Sequence, residues 1–118
     1  MRWMGLPLVV LALASSPSWA SPRCPMSGAA SWYGPRHEGR ATASGEPFRS
    51  AHLTAASRCL KLGTMVEVRH RDLVVVVRIN DRGPYVSSRI LDLSRGAAER
   101  LGITGIGRVH LKLLGNNN

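Results

Sequence analysis

Val74-Val75-Val76-Val77-Arg78-Ile79-Asn80-Asp81-Arg82-Gly83-Pro84-Tyr85 is the stretch that decides the fold. Four valines continued by Ile79 read as a strand of a β protein, buried on both faces and crossing the interior. Gly83 and Pro84 break any regular continuation, so the strand ends at Asn80-Asp81-Arg82. A carboxylate is thereby delivered to the lip of a rigid core strand, between Arg78 and Arg82. Read locally, Asp81 is either an accessible working acid or a turn residue bonded to its own backbone.

The flanks supply further strands. Upstream, Thr64-Met65-Val66-Glu67-Val68-Arg69-His70 alternates apolar and polar residues as a half-buried strand does. Arg71-Asp72 then turns the chain into the valine strand, giving a hairpin. Downstream, Arg89-Ile90-Leu91-Asp92-Leu93 is a short strand. Ser94 follows as the cap of the one convincing helix, whose apolar face is Ala97, Ala98 and Leu101 and whose stop is Gly102. Arg108 to Leu114 alternates again and closes the fold, with Gly115 to Asn118 expected to fray. Nearer the start, Pro22 to Gly28 reads as an extended arm, and Ala29 to Tyr33 as a strand stopped by Gly34-Pro35. Residues 36–47 form a loop, while Phe48 to Ala56 shows no clear period. About six short strands and one helix favour a small closed barrel, which leaves no exposed strand edge.

The chain opens with Arg2, an apolar run from Leu6 to Ala14, and a small-x-small site at Ser18-Trp19-Ala20. These are the parts of a secretory signal peptide over residues 1–20, leaving residues 21–118 as one domain. The apolar run is too short to span a bilayer, and Arg23 before Cys24 argues against lipid attachment there. The expected destination is the periplasm or the exterior, without stable membrane insertion. The formal net charge is +9, with 16 Lys and Arg against 7 Asp and Glu. In an exported protein such charge suits anionic envelope polymers better than nucleic acid, or serves solubility alone. Two cysteines, Cys24 and Cys59, suggest one disulfide that ties the N-terminal arm to the barrel. Closing that loop is worth roughly 3–4 kcal/mol in the chain-entropy model. His37 lacks a partner at metal-ligand spacing and nothing resembles a phosphate-binding loop, so no metal or cofactor is expected.

Five blocks in order carry a family resemblance: Ala30-Ser31-Trp32-Tyr33-Gly34, Gly39 to Glu46, Leu53-Thr54-Ala55-Ala56, Val76 to Pro84, and Arg89 to Ser94. In these the chain resembles the rare lipoprotein A (RlpA) family over most of residues 28–114. The resemblance implies a mainly β fold, a six-stranded double-psi β-barrel with one short helix. It also implies lytic transglycosylase activity on peptidoglycan glycan strands stripped of their peptides. The chain is expected to be a monomer. The family's acidic pair falls on Glu46 and Asp81. Its third polar residue, a histidine directly after Thr-Ala-Ala, is replaced here by Ser57, and His52 does not match that position. Cys59 lies outside the family's pattern as well.

Cutting a glycosidic bond requires a proton for the leaving oxygen. In a lytic transglycosylase one carboxyl can donate it and then, as a base, take the proton of the muramic C6 hydroxyl, closing an anhydro ring. Asp81 is given that role, with Glu46 stabilising positive charge on the sugar. Ser57, Tyr85, Arg78, Arg82 and Trp32 are the candidate substrate contacts. Tyr33 competes with Trp32 for a place in the core. Asp92, just before the helix cap, is read as mainly structural. A non-catalytic, expansin-like module that binds wall glycan through the same groove is the alternative.

Overall fold

The computed structural model describes residues 24–116. The proposed leader over residues 1–20 lies outside them. The strands are β1 (Ser27–Trp32), β2 (Thr54–Ala56), β3 (Thr64–His70), β4 (Leu73–Asp81), β5 (Arg89–Leu93) and β6 (Gly107–Asn116). One helix, α1 (Arg95–Leu101), follows β5, and a single 3-10 turn spans Pro35–His37. The strands close into a barrel in the order β1-β5-β2-β4-β3-β6. Two neighbouring pairs, β1 with β5 and β2 with β4, are parallel, and the other pairs are antiparallel.

The valine strand departs from its expected burial. Val75, Val77 and Ile79 point inward and are 5%, 0% and 0% exposed, whereas Val74 and Val76 on the other face are 41% and 39% exposed. A closed barrel has one interior, so each strand buries alternate residues, and its outer face is covered only where something packs on it. The outward valines pair laterally with Arg69 and Glu67 of β3, whose charged side chains share that face. β-propensity accounts for valine there; burial does not. The interior itself is filled by Val66, Val68, Val77, Ile79, Leu91, Leu93 and Val109.

The β3–β4 hairpin forms as the sequence indicates, with Arg71 at a positive φ of 54° in its turn. β6 runs further than expected, because Gly115 and Asn116 pair with Met65 and Thr64 of β3 instead of fraying. β1 likewise begins within the expected arm, Ser27 and Gly28 pairing with His110 and Val109. Ser94 caps α1: its hydroxyl accepts from Ala97 N at 3.2 Å and donates to the His52 carbonyl at 2.6 Å. Gly102 ends the helix in the left-handed region (φ 70°), where a Cβ would be strained. Fully buried, Ser94 locks α1 to the segment entering β2.

Cys24 and Cys59 are bonded, with their Cα atoms 5.6 Å apart across a sequence separation of 35. The bridge fixes the arm before β1 to the turn that follows β2. No helix among the described residues is long and apolar enough to cross a membrane.

Candidate functional site

A β-bulge aims Asp81. On β2 and β4, Ala55 pairs with Ile79 but Ala56 pairs with Asp81, so one extra β4 residue is accommodated between them. Bulges bend a strand and redirect its side chains, and here the effect is to set Asp81 level with Ala56. Ala56 also pairs with Asp92 on β5, and Asp92 with Ser31 on β1. Four neighbouring strands therefore present one lateral row: Ser31, Asp92, Ala56, Asp81. The parallel pairings bring these residues together from distant parts of the sequence.

Asp81 accepts three hydrogen bonds. Ala43 N and Arg82 N each donate to Oδ1 at 2.9 Å, and the Tyr33 hydroxyl donates to Oδ2 at 2.6 Å. Tyr33 lies two residues beyond Ser31 and joins Phe48 and Ala56 in a small apolar cluster of its own. Its ring stacks on Phe48 at a centroid distance of 4.3 Å and meets the edge of His37 at 5.0 Å. Burial, and then the bond to Asp81, push the phenol's pKa well above its ordinary value, so Tyr33 stays a donor throughout the physiological range. The Arg82 amide is a local contact, one residue on and not the two expected of a turn. The two long-range donors show that the carboxylate is held by the wider fold as well.

The loop over residues 42–46 folds back on the end of β4. Thr42 donates from N and Oγ1 to the Glu46 carbonyl at 3.0 and 2.7 Å, and Ser44 N donates to the Asn80 carbonyl at 3.0 Å. This brings Glu46 to the strand that carries Asp81. Arg78 donates to both Glu46 oxygens at 2.6 and 3.2 Å, and Asn80 Nδ2 donates to Oε1 at 2.8 Å. The Arg78 bonds first, and Asn80 second, hold the Glu46 carboxyl below its usual range. Its charge is thus largely matched by a guanidinium. The contribution of this pair to stability is present above the ordinary glutamate range and is lost as pH falls through the depressed folded value. Glu46→Gln is therefore expected to lower the melting temperature at pH 7, by a deficit that shrinks as pH falls below the ordinary glutamate range. Because the pair is partly solvated, the deficit stays under about 1 kcal/mol. Thermal melts of both proteins across pH check this, and a deficit independent of pH would contradict it.

Asp92 is partly buried and accepts from Ser31 Oγ at 3.1 Å. Burial raises its pKa, Ser31 and the charges of His37 and Arg89 oppose that rise, and the charge of Asp81 adds to it. Sequence reading had no means of pairing Asp92 with Asp81, because the row exists only through the barrel's strand order. The same holds for Tyr33, whose i, i+2 relation to Ser31 was visible but whose target was not.

The other expected site residues are distributed as follows. Ser57 is 3% exposed, and its hydroxyl accepts from Cys59 N and Leu60 N at 3.1 and 2.9 Å, so it shapes a turn instead of facing a ligand. Its amide does reach the site, donating to the Asp81 carbonyl at 3.0 Å. Arg78 is engaged by Glu46, and Arg82 donates to the carbonyls of Ser57 and Leu60 at 3.0 and 2.6 Å. Both arginines bind the protein's own groups. Tyr85, in contrast, is 79% exposed on the loop after Asp81. Trp32 anchors its indole N–H on the Thr104 carbonyl at 3.3 Å and borders two adjoining hollows. The larger, about 390 Å³, is lined by Trp32, Tyr33, Pro35, Glu38, Ser50 and Arg95, and so runs up to the tyrosine that holds Asp81. Among the described residues no three His, Cys, Asp or Glu side chains gather as a metal site would require.

Comparison with known proteins gives the same outline. A family model described as lytic transglycolase, of the double-psi β-barrel class, matches residues 26–113. A probable endolytic peptidoglycan transglycosylase RlpA of Synechocystis is 52% identical over 91 residues, covering 74% of this chain and 28% of that protein. The endolytic peptidoglycan transglycosylase RlpA of Campylobacter jejuni is 42% identical over 92 residues, covering 75% and 34%. The chain thus spans about a third of the length of these curated relatives. Among solved structures, a Streptomyces papain inhibitor superposes with a TM-score of 0.59 at 21% identity, covering 73% of this chain and 92% of that one. That likeness concerns the fold, a double-psi β-barrel. With the matched model spanning all six strands and the whole carboxylate row, the chain belongs to the RlpA-like lytic transglycolase family.

Proposed function

We propose that this barrel is an endolytic peptidoglycan lytic transglycosylase that cleaves peptide-poor glycan strands and leaves anhydro-muramic ends. The observation that carries the reading is Asp81: a carboxylate at the end of a core strand, redirected by a bulge and accepting three hydrogen bonds. Rigid placement of this kind is what proton transfer at a sugar demands. Asp81 is the group at the reacting bond, and the chemistry asks for two proton transfers. One goes to the leaving glycosidic oxygen, and the other comes from the C6 hydroxyl that closes the anhydro ring. Glu46, neutralised by Arg78, contributes electrostatic balance and holds the loop that brings Ala43 N to Asp81. The hollow beside Trp32 and Tyr33 offers aromatic surface and polar edges to a glycan, and Tyr85, exposed on the loop after Asp81, offers a further aromatic face.

The leader read from residues 1–20 would export the barrel to the envelope, where its net positive charge favours an anionic polymer. There it acts as a monomer without a cofactor. One observation favours the expansin-like alternative: Ser57, at the family's histidine position, turns its hydroxyl onto backbone amides and offers a substrate nothing.

Incubation with peptide-free glycan strands, followed by mass spectrometry of the products, separates the readings. Anhydro-muramic ends are the expected result. Ordinary reducing ends would mean hydrolysis by a two-carboxylate site. Intact strands that co-sediment with the protein would leave a binding module.

A further inference from the structure

We propose that Tyr33 positions the reacting atom of this site: Asp81 Oδ2 carries the proton that moves, and the Tyr33 hydroxyl aims that oxygen and stabilises the charge left on it. The assignment rests on the lytic transglycosylase reading. It adds a residue that acts through Asp81 without touching the sugar.

The hydrogen bonds at Asp81 distinguish its two oxygens. Oδ1 accepts from Ala43 N and from Arg82 N, each at 2.9 Å. A carboxylate oxygen has two lone pairs, and here both face main-chain amides, which donate and never accept. A proton on Oδ1 would displace one of these bonds. Oδ2 accepts from Tyr33 at 2.6 Å, and among the described residues no second donor reaches it. It therefore keeps one open direction on a partly exposed side chain. A proton carried by Asp81 sits on Oδ2, and a glycan oxygen can meet it there.

Tyr33 is held firmly enough to aim that atom. It is 7% exposed, its ring stacks on Phe48 at 4.3 Å, and it meets the edge of His37 at 5.0 Å, which fixes where the hydroxyl points. The apolar cluster of Tyr33, Phe48 and Ala56 is closed to a sugar, so the strand meets Asp81 at its exposed edge while Tyr33 works from the buried side. The phenol keeps its proton in these surroundings and donates to Oδ2. A hydrogen bond to an ionised partner is roughly twice as strong as one between neutral groups. The bond therefore tightens as Oδ2 gives up its proton, and the gain falls in the transition state more than in the bound ground state.

The step balances. As the bond from muramic C1 to the leaving oxygen breaks, its electron pair goes to that oxygen, which takes the Oδ2 proton. The C6 hydroxyl oxygen forms the new bond to C1, and its proton returns to Oδ2. No water is consumed, and Tyr33 keeps its own proton throughout.

Tyr33→Phe tests this in the full chain, with peptide-free strands as substrate. Phenylalanine keeps the stacked ring and loses only the hydroxyl. The kcat for release of anhydro ends is expected to fall by about 10- to 100-fold, the effect of losing one hydrogen bond to a charged group. KM should change by less than about threefold, because the sugar does not touch Tyr33. The alkaline limb of the rate profile, where Asp81 loses the proton it must give, moves to higher pH. Charged groups around Asp81 include Asp92 from β5, His37 beyond the Tyr33 ring, Arg82, and the Glu46–Arg78 pair, and the substitution leaves all of them in place. A second variant, Tyr33→3-fluorotyrosine, retains every contact but donates more strongly, so it moves the limb to lower pH. It decides the matter even where Tyr33→Phe does not fold. A limb that stays in place with 3-fluorotyrosine, or a wild-type kcat in folded Tyr33→Phe, would overturn the assignment and leave Tyr33 a structural residue. If the wild-type protein itself releases no anhydro ends, the transglycosylase reading fails and this assignment fails with it.

Discussion

Asp81→Asn is expected to reduce the release of anhydro-muramic ends by a factor of about 10² to 10⁴ while leaving the barrel folded. The size follows from losing a positioned proton-transfer group, equivalent to roughly 3–5 kcal/mol of barrier. The fold should survive because asparagine suits each contact. Its carbonyl oxygen can take the place of Oδ1 and accept from Ala43 N and Arg82 N. Its amide nitrogen would then occupy the Oδ2 position, where the Tyr33 oxygen can accept in place of donating. Melting temperature and co-sedimentation with glycan strands should therefore stay near wild type. An Asp81→Asn protein that cleaves at the wild-type rate would remove Asp81 from the chemistry altogether. A fall in cleavage matched by a fall in strand binding would make the residue a ligand contact instead. Glu46→Gln should cost far less, because a glutamine oxygen at the Oε1 position still accepts from Asn80 and from one Arg78 nitrogen.

The contrast between these residues marks how far the sequence could be read. The end of the valine run announced that Asp81 would be rigidly held, since Gly83-Pro84 must stop the strand there. The hairpin, the Ser94 cap and the Gly102 stop were likewise legible, each resting on contacts within a few residues. What stayed hidden depended on strand order. Asp92 and Ser31 became neighbours only because β1 pairs in parallel with β5, and Asp81 joined them only through the bulge against β2. No local pattern encodes either pairing. The two-sided burial expected for the valines failed for a related reason: periodicity cannot distinguish a strand inside two layers from one whose outer face carries exposed valines. Ser57 shows what residue-by-residue transfer from a family does not carry: its amide bonds the Asp81 carbonyl, while its hydroxyl accepts from the Cys59 and Leu60 amides.

Replacing both bridged cysteines, as Cys24→Ser with Cys59→Ser, is expected to destabilise the protein by about 3–4 kcal/mol. In a domain of this size that is a fall in melting temperature of about 15 °C or more. The argument has an entropic part and a local part. The bridge closes a loop with a sequence separation of 35, which restricts the unfolded chain. It also secures the turn at residues 57–60, and that turn is laced to the segment carrying Asp81. Arg82 donates to the Ser57 and Leu60 carbonyls, Ser57 N donates to the Asp81 carbonyl, and Arg58 donates to the carbonyls of Pro84 and Val86. Hydrogen bonds remain when the sulfurs are gone, so at a temperature where the variant is still folded it should cleave strands at close to the wild-type rate. Melts and cleavage measured on the same double variant separate the two parts. A loss of stability below about 1 kcal/mol would show that the barrel's own pairing of β1 with β5 and β6 already restrains the arm. A loss of cleavage in the folded variant would show instead that the hydrogen bonds alone do not keep Asp81 in place, making the bridge part of the site's framework as well as of the fold.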